Sequence, residues 1–327
     1  MKAIIYQTFG EPAEILEVAD LPKPEPKAGE ALIRTLLSPI HNHDLWTARG
    51  SYGYKPELPA QGGTEALGIV EAVGEGVDSA LIGQRVVKAG AQGTWAEYFV
   101  TPASAVLPLP DSISDAAGAQ LIAMPFSALS LLESLALKPG DWLIQTAANG
   151  TVGKLIVDMA RHRGLKLLNL VRRDEAVTEM LEFGAEHVLS FSDEQWQRKA
   201  RELLAKEGAR AAIDSVGGPI IADVADLLGL NGQLVVFGSS AGVPLSLNAG
   251  KLISNHVVVK GFWASRVIAE MPEEESTRLI GELVSLAVQH KLHLPSGGEF
   301  ALDDIIAAVD ASLTAGRSGK ILLKPGH

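Results

Sequence analysis

A stretch of small residues in the middle of the chain has the composition of a phosphate-binding turn. The apolar run Trp142–Thr146 has the length of a buried strand, and residues 153–163 carry apolar positions at helical spacing. The segment between them and into the helix reads Ala147-Ala148-Asn149-Gly150-Thr151-Val152-Gly153, which is A-x-x-G-x-x-G in place of G-x-G-x-x-G. Small residues permit a tight turn and close approach to a pyrophosphate, while the helix N-terminus offers N–H donors and the positive end of its dipole. The pattern predicts dinucleotide binding by Asn149, Gly150, Thr151, Val152 and Gly153, with a tight turn that binds nothing as the alternative.

Two arginines end the next apolar run. Leu165–Val171 is followed by Arg172-Arg173-Asp174, about 20 residues beyond the small-residue turn. An acidic residue there would accept the ribose 2′-hydroxyl of NAD, whereas two arginines suit a 2′-phosphate through charge-assisted hydrogen bonds. The pair therefore predicts NADPH as the cofactor, held by Arg172 and Arg173. A solvated basic pair, or Asp174 turned towards a ribose, is the alternative.

The chain has no cysteine among its 327 residues. This absence excludes disulfides, thiolate nucleophiles, iron–sulfur clusters and zinc sites built from cysteine.

The elements that must position these residues follow two different sequence patterns, one in the first third of the chain and one in the rest. The first third contains short apolar or alternating runs separated by Pro- and Gly-rich turns, which suits a small barrel or sandwich. From about Asp111 onward, apolar runs of strand length alternate with helical patterns, which is typical of a parallel sheet covered on both faces. Two further helices and a last strand, Lys320–Lys324, form the tail, which we expect to return to the first domain.

Charge and hydropathy restrict the partners. The formal net charge is −11 and no tract is rich in Lys or Arg, whereas nucleic acids and anionic membranes need a basic surface. No apolar run approaches the length that spans a bilayer. The first residues lack the parts of a signal or transit peptide. We expect a cytoplasmic protein that acts on a small molecule, without a nucleic-acid or membrane partner.

An ordered set of short motifs runs along nearly the whole chain. The motifs are Met1-Lys2-Ala3, Gly50-Ser51-Tyr52-Gly53, Lys55-Pro56-Glu57-Leu58-Pro59, Gly62-Gly63-Thr64-Glu65, Gly93-Thr94-Trp95-Ala96-Glu97-Tyr98, Leu137-Lys138-Pro139-Gly140-Asp141, Gly261-Phe262-Trp263 and Gly316-Arg317-Ser318-Gly319-Lys320. Together with the small-residue turn, they resemble the medium-chain dehydrogenase/reductase superfamily, in its zinc-independent quinone-reductase and 2-enoyl-thioester-reductase branches.

The resemblance implies a fold and an assembly. It implies an α/β protein in which a GroES-like β-barrel domain, 1–120 completed by 264–327, packs on a Rossmann-type doubly wound parallel sheet, 121–263. The active site is expected in the cleft between the two domains. Dimerisation through an edge strand near Val257–Gly261 is also implied.

Zinc members of this superfamily use cysteine ligands that this chain lacks, and Thr64 stands where a ligand histidine often precedes Glu65. We therefore expect no metal. A site made of His41, His43, Asp44 and Glu65 is the alternative, and the two histidines could equally line the cleft or cap a helix.

The resemblance also suggests roles for single residues. Tyr52 corresponds to the residue that polarises the carbonyl or delivers a proton in 2-enoyl-thioester reductases, with Tyr54 as a weaker candidate. Trp263 is expected near the nicotinamide and the acyl pocket, or as packing at a strand end. Four further residues are expected to contact the cofactor: Phe237, Gly238, Phe262 and Lys320. Met124 replaces an asparagine that is usual in enoyl reductases.

Three functions remain open from the sequence. The first is an NADPH-dependent reductase of activated C=C bonds, with a 2-enoyl thioester as substrate. The second is a quinone or enone reductase on the same scaffold. The third is an NADPH-binding protein without catalysis, which needs only the small-residue turn and the arginine pair.

Overall fold

The computed structural model describes residues 1–314 and 316–326. Residue contacts divide the chain into two units. Unit 1 comprises Met1–Met124, Ile280–His290 and the described part of Leu294–His327, and unit 2 comprises Pro125–Leu279 and Lys291–His293. No helix within the described ranges combines the length and the apolar character that crossing a bilayer requires.

Strands and helices are numbered along the chain. The strands are β1 (Lys2–Tyr6), β2 (Glu17–Asp20), β3 (Glu30–Pro39), β4 (Ala60–Gln61), β5 (Glu65–Val73), β6 (Arg85–Ala89), β7 (Tyr98–Pro102), β8 (Leu107–Pro108), β9 (Trp142–Gln145), β10 (Lys166–Val171), β11 (His187–Ser190), β12 (Ala209–Asp214), β13 (Leu228–Val236), β14 (Val258–Gly261), β15 (Ser296–Phe300) and β16 (Lys320–Leu323). The helices are α1 (Pro12–Ile15), α2 (Asn42–Arg49), α3 (Asp115–Gly118), α4 (Ala123–Glu133), α5 (Thr151–His162), α6 (Glu175–Glu182), α7 (Trp196–Leu204), α8 (Ile220–Ala225), α9 (Ala249–Asn255), α10 (Ala264–Ala269), α11 (Glu273–Val288) and α12 (Ile305–Leu313).

Unit 1 is built around the long strand β3. This strand pairs antiparallel with β5, β7 and β16, within a sheet of order β15-β16-β3-β5-β6-β8, while β2-β1-β4 form a smaller antiparallel sheet. Mostly buried positions along β3 match its place between partners on both sides. A core that includes Ile4, Leu45, Trp95 and Ile305 joins β1, α2 and α12.

Unit 2 contains one parallel sheet of order β11-β10-β9-β12-β13-β14. The central strands are buried along nearly their whole length because helices cover both faces of such sheets. The strand order reverses next to β9, and open α/β sheets bind ligands beyond the carboxyl ends of their strands at such a point. The small-residue turn follows β9.

The predicted fold class is confirmed, and the runs Trp142–Thr146, Leu165–Val171 and Lys320–Lys324 agree with β9, β10 and β16 to within one residue. Strand β13 begins at Leu228, and its pairing with β12 jumps from Leu228 to Gln233 across a bulge. Asn231 within the bulge has φ of 58°, so the sequence there reads as a turn.

The return of the chain to unit 1 begins later than expected. Residues 264–279, which the sequence suggested would complete the first domain, belong to unit 2. Arg278 on α11 donates to Glu133 of α4 at 2.6 Å, and both residues belong to unit 2. The first part of α11 is thereby tied to the helix with which unit 2 begins.

Candidate functional site

The small-residue turn joins β9 to α5 as a tight connection. Ala147 has φ of 52°, a left-handed conformation that bulky side chains disfavour. Gly150 is the N-cap of α5 and provides no side-chain cap. The first N–H groups of a helix lack intrahelical acceptors, so the start of α5 at Thr151, Val152 and Gly153 can donate to an anion.

Gly153 is required by a close approach of the backbone. A Cβ atom at this position would lie 2.4 Å from the carbonyl oxygen of Ala148. Gln145, at the end of β9, donates from Nε2 to the Gly153 carbonyl at 3.0 Å and to Asn169 Oδ1 at 2.7 Å. The helix is thereby held against β9 and β10, which fits the role of the last glycine in dinucleotide-binding turns.

The two arginines follow β10, the neighbour of β9, at the same edge of the sheet. Arg172 and Arg173 are exposed. Within the described ranges, no hydrogen bond or ion pair engages either guanidinium. Asp174 accepts a hydrogen bond from Ser192 Oγ at 2.8 Å, so one of its carboxylate oxygens is already occupied. Both guanidinium groups are therefore available to an anionic ligand.

The residues expected near the nicotinamide follow β13 and β14 at this edge. The rings of Phe237 and Phe262 lie 6.2 Å apart between centroids, and the Phe262 N–H donates to the Val236 carbonyl. Gly238 is needed because a Cβ atom there would lie 2.9 Å from the Ser215 carbonyl oxygen. Trp263 is 47% exposed, so its ring is not part of the core of unit 2.

A buried polar network that sequence reasoning missed supports this edge. Thr146 Oγ1 donates to Asp214 Oδ1 at 2.7 Å, and Asp214 Oδ2 accepts the Gly217 N–H at 2.7 Å. The network fixes the loops that follow β9 and β12. Polar residues at the ends of otherwise apolar runs, such as Gln145 and Thr146, were the available signal.

Tyr52 lies in unit 1, just after α2. Its ring is 5.9 Å from the His43 ring and 6.4 Å from the Trp46 ring between centroids. Its N–H donates to the Trp46 carbonyl at 3.2 Å. Gly50 ends α2 in a left-handed conformation with φ of 72°, which turns the chain so that Tyr52 packs back on the helix.

His43, Thr64 and Asp44 form a hydrogen-bonded chain. His43 Nε2 is 2.7 Å from Thr64 Oγ1, which donates to Asp44 Oδ1 at 2.7 Å. The second oxygen of Asp44 accepts the His41 N–H at 2.9 Å. Asp44 thus caps α2 and anchors Thr64.

His41 and Glu65 form a second, fully buried pair. His41 Nε2 lies 2.7 Å from Glu65 Oε2, and the rings of His41 and His43 stack at 5.0 Å. Glu65 Oε1 also accepts the N–H groups of Ile122 and Ala123 at 2.8 Å. Burial raises the pKa of Glu65 to about 7, and burial lowers the pKa of His41 well below its usual value.

Lys320 is a buried lysine of unit 1, only 5% exposed. Burial lowers its pKa to about 8, while the nearby Asp44 and Glu65 act in the opposite direction. Its burial was not foreseen, because lysine is rarely buried and the residue type gives no such signal. Lys320 and Tyr52 belong to unit 1, whereas the other predicted site residues belong to unit 2.

Comparisons with known proteins agree with this architecture. Residues 27–111 match the family model of the alcohol dehydrogenase GroES-like domain, and residues 151–281 match the model described as zinc-binding dehydrogenase. Human mitochondrial enoyl-acyl-carrier-protein reductase is 30% identical over 331 residues, which covers 99% of this chain and 88% of the human protein.

Two solved structures are also similar over the full length. A Bacillus thuringiensis protein assigned as an NADPH:quinone reductase has a TM-score of 0.91 at 31% identity, covering 99% of this chain and 98% of that one. Quinone oxidoreductase of Escherichia coli, solved in complex with NADPH, has a TM-score of 0.87 at 27% identity, covering 99% and 100%.

The residues of this chain do not fit the zinc named in one family model. Cysteine is absent from the sequence. The Nε2 atoms of His41 and His43 are bonded to Glu65 and Thr64, and no group of three or more potential ligands with metal-binding geometry occurs among residues 1–314 and 316–326. With its two domain matches and its full-length relatives, the chain belongs to the zinc-independent branch of the medium-chain dehydrogenase/reductase superfamily, with the quinone oxidoreductases and the 2-enoyl thioester reductases.

Proposed function

We propose that this protein is an NADPH-dependent reductase of activated C=C bonds and that its substrate is a 2-enoyl thioester. The observation that carries the proposal is the edge of the parallel sheet, where the uncapped start of α5 lies beside the strand that ends in Arg172 and Arg173. The human relative with 30% identity is named for reduction of an enoyl thioester on acyl-carrier protein.

The edge of unit 2 would hold the cofactor by its phosphates. The N–H groups at the start of α5 suit the pyrophosphate, and the two guanidinium groups suit a 2′-phosphate. Phe237, Gly238, Phe262 and Trp263 would border the ribose and nicotinamide half, and Lys320 would add a positive charge for a phosphate. When bound, NADPH supplies a hydride.

Tyr52 is the proposed proton donor. Reduction of an enoyl thioester builds negative charge on the carbonyl oxygen and requires a proton at the adjacent carbon. The phenol of Tyr52 can donate that proton or hydrogen-bond to the oxygen. Its ring packs beside those of Trp46 and His43, with centroid distances of 6.4 and 5.9 Å.

Reduction of a quinone is the second candidate, because both solved structures described above are named as quinone reductases. A direct test compares kcat/KM for crotonyl-CoA and for 1,4-benzoquinone, with NADPH and then with NADH. We expect crotonyl-CoA with NADPH to be the best pair. Turnover of the quinone alone would move the protein to the second candidate, and turnover of neither would favour cofactor binding without catalysis.

We also propose a homodimer formed through β14, the edge strand of the parallel sheet. Val258 and Val259 on this strand are 54% and 38% exposed, and Ile253 on the preceding helix is 74% exposed. An apolar sheet edge is a surface on which another strand can pair. Light scattering after size exclusion should give twice the chain mass of 34.5 kDa, and a monomer would contradict the proposal.

The cytoplasmic location stays a prediction, which fractionation of the native cell tests.

A further inference from the structure

We propose that His43 is a proton-relay residue that returns a proton to Tyr52 after each turnover. This inference rests on the proposed function, and in particular on Tyr52 as the proton donor. His43 acts through Tyr52 and is therefore a positioning residue rather than a catalytic one.

The hydrogen bonds of Thr64 fix which nitrogen of His43 carries a proton. Thr64 Oγ1 has one hydrogen, which it donates to Asp44 Oδ1, because a carboxylate can only accept. The contact between Thr64 Oγ1 and His43 Nε2 at 2.7 Å must then be donated by His43. Nε2 is therefore protonated, and Nδ1 is the atom that can gain or lose a proton.

Nδ1 of His43 is available for this exchange. Within the described part of the chain, no hydrogen bond engages this atom. The His43 side chain is 20% exposed, so solvent can supply protons to the ring. The rings of His43 and Tyr52 are neighbours, with 5.9 Å between their centroids, and one water can bridge two polar groups that do not touch.

Charged and titratable groups lie close to the His43 ring. Asp44 Oδ1 lies 3.4 Å from His43 Nε2, so a carboxylate faces the ring on the side away from Nδ1. Glu65 and His41 also lie close to His43. The positive charge of Lys320 lies close to Glu65, His41 and Asp44. His41 itself is a poor relay because it is fully buried and its Nε2 is bonded to Glu65.

The relay step is balanced in protons. Tyr52 gives its phenolic proton to the substrate carbon and becomes a phenolate. The Nδ1–H of protonated His43 passes its proton to the phenolate oxygen, which restores the phenol and leaves a neutral imidazole. Water then returns a proton to Nδ1, while Nε2–H, Thr64 and Asp44 keep their hydrogen bonds.

Replacement of His43 by glutamine separates the relay from packing. A His43→Gln side chain can keep an N–H donor for Thr64 but cannot exchange a proton near neutral pH. With crotonyl-CoA and NADPH, kcat should fall by at least about tenfold, the lower part of the range for acid–base groups. KM for crotonyl-CoA and the dissociation constant for NADPH should stay unchanged.

Two further readouts distinguish a relay from a structural role. The pH profile of kcat should differ between the wild type and the His43→Gln variant, because glutamine cannot exchange a proton. In a His43→Ala variant, added imidazole should restore part of the lost kcat, because free imidazole can exchange the proton that alanine cannot. His162→Gln, an exposed histidine on α5, is the matched control and should behave as the wild type.

The outcomes separate the two proposals. A wild-type enzyme that reduces crotonyl-CoA, together with a His43→Gln variant of unchanged kcat and pH profile, would overturn the relay and leave the function in place. Loss of activity in His43→Ala without any rescue by imidazole would also overturn it. A wild-type protein that reduces no alkene would remove the proposed function and the relay with it.

Discussion

At the scale of single residues, Tyr52 is the side chain on which the proposed chemistry depends most. A Tyr52→Phe variant keeps the ring that packs on His43 and Trp46 but loses the hydroxyl. We expect kcat with crotonyl-CoA to fall on the order of 100-fold, with little change in NADPH affinity. Tyr98→Phe, on strand β7, is the control and should keep full activity. Unchanged turnover in Tyr52→Phe would exclude Tyr52 as the proton donor.

Arg172 and Arg173 are the residues that should select NADPH over NADH. The double variant Arg172→Ala/Arg173→Ala should raise the NADPH dissociation constant roughly tenfold to 100-fold, the value of one or two charge-assisted hydrogen bonds. NADH affinity should not change, because NADH has no 2′-phosphate. Fluorescence titration measures both, with Arg201→Ala on α7 as an exposed arginine control. A double variant that still prefers NADPH would contradict the assignment.

Glu65 should make the stability of the protein depend on pH. Its pKa is about 7 in the folded protein and 4.5 without burial, so the folded state binds the proton more tightly. Its contribution to the free energy of unfolding is therefore complete below pH 4.5 and is lost as the pH rises through 7. A Glu65→Gln variant lacks this titration.

The measurement is the free energy of unfolding in urea, for the wild type and for Glu65→Gln, between pH 4.5 and 8. The wild type should lose stability relative to the variant by on the order of 1–3 kcal/mol as the pH rises. A difference that stays constant, or that rises with pH, would show that Glu65 is ionised throughout.

At the scale of elements, the connection between β9 and α5 is the part of the fold that cannot accept a larger residue. A methyl group at Gly153 would lie 2.4 Å from the Ala148 carbonyl oxygen, so the turn or the helix must move. We expect Gly153→Ala to cost about 1–3 kcal/mol of stability and to weaken NADPH binding.

Gly281→Ala is the matched control for this substitution. Gly281 lies on α11, where no atom is within 4 Å of the added methyl group. Thermal unfolding and NADPH titration of both variants test the expectation. Equal behaviour of the two variants would show that the close approach at Gly153 has no role in the turn.

At the scale of the whole molecule, the sequence predicted the fold better than it predicted the environment of the site. The strands of unit 2 were recognisable because continuous apolar runs alternate with helical patterns. The small-residue turn and the arginine pair were recognisable because they follow such runs. These features depend on local sequence alone.

The buried polar groups could not be predicted in the same way. Glu65, His41 and Lys320 are residue types that are mostly exposed in proteins. Their burial results from contacts between segments far apart in the chain, such as the bonds from Ile122 and Ala123 to Glu65. The later return to unit 1 also involves contacts between distant segments, and Arg278 and Glu133, which pair within unit 2, are 145 residues apart.

The most direct test of the account follows the hydride into the product. Crotonyl-CoA is incubated with the protein and with NADPH deuterated at both C4 positions, and the thioester product is examined by mass spectrometry. Hydride transfer to the thioester predicts butyryl-CoA that carries one deuterium. Reduction of the thioester would be contradicted if crotonyl-CoA stays unchanged while the same protein preparation oxidises NADPH with benzoquinone.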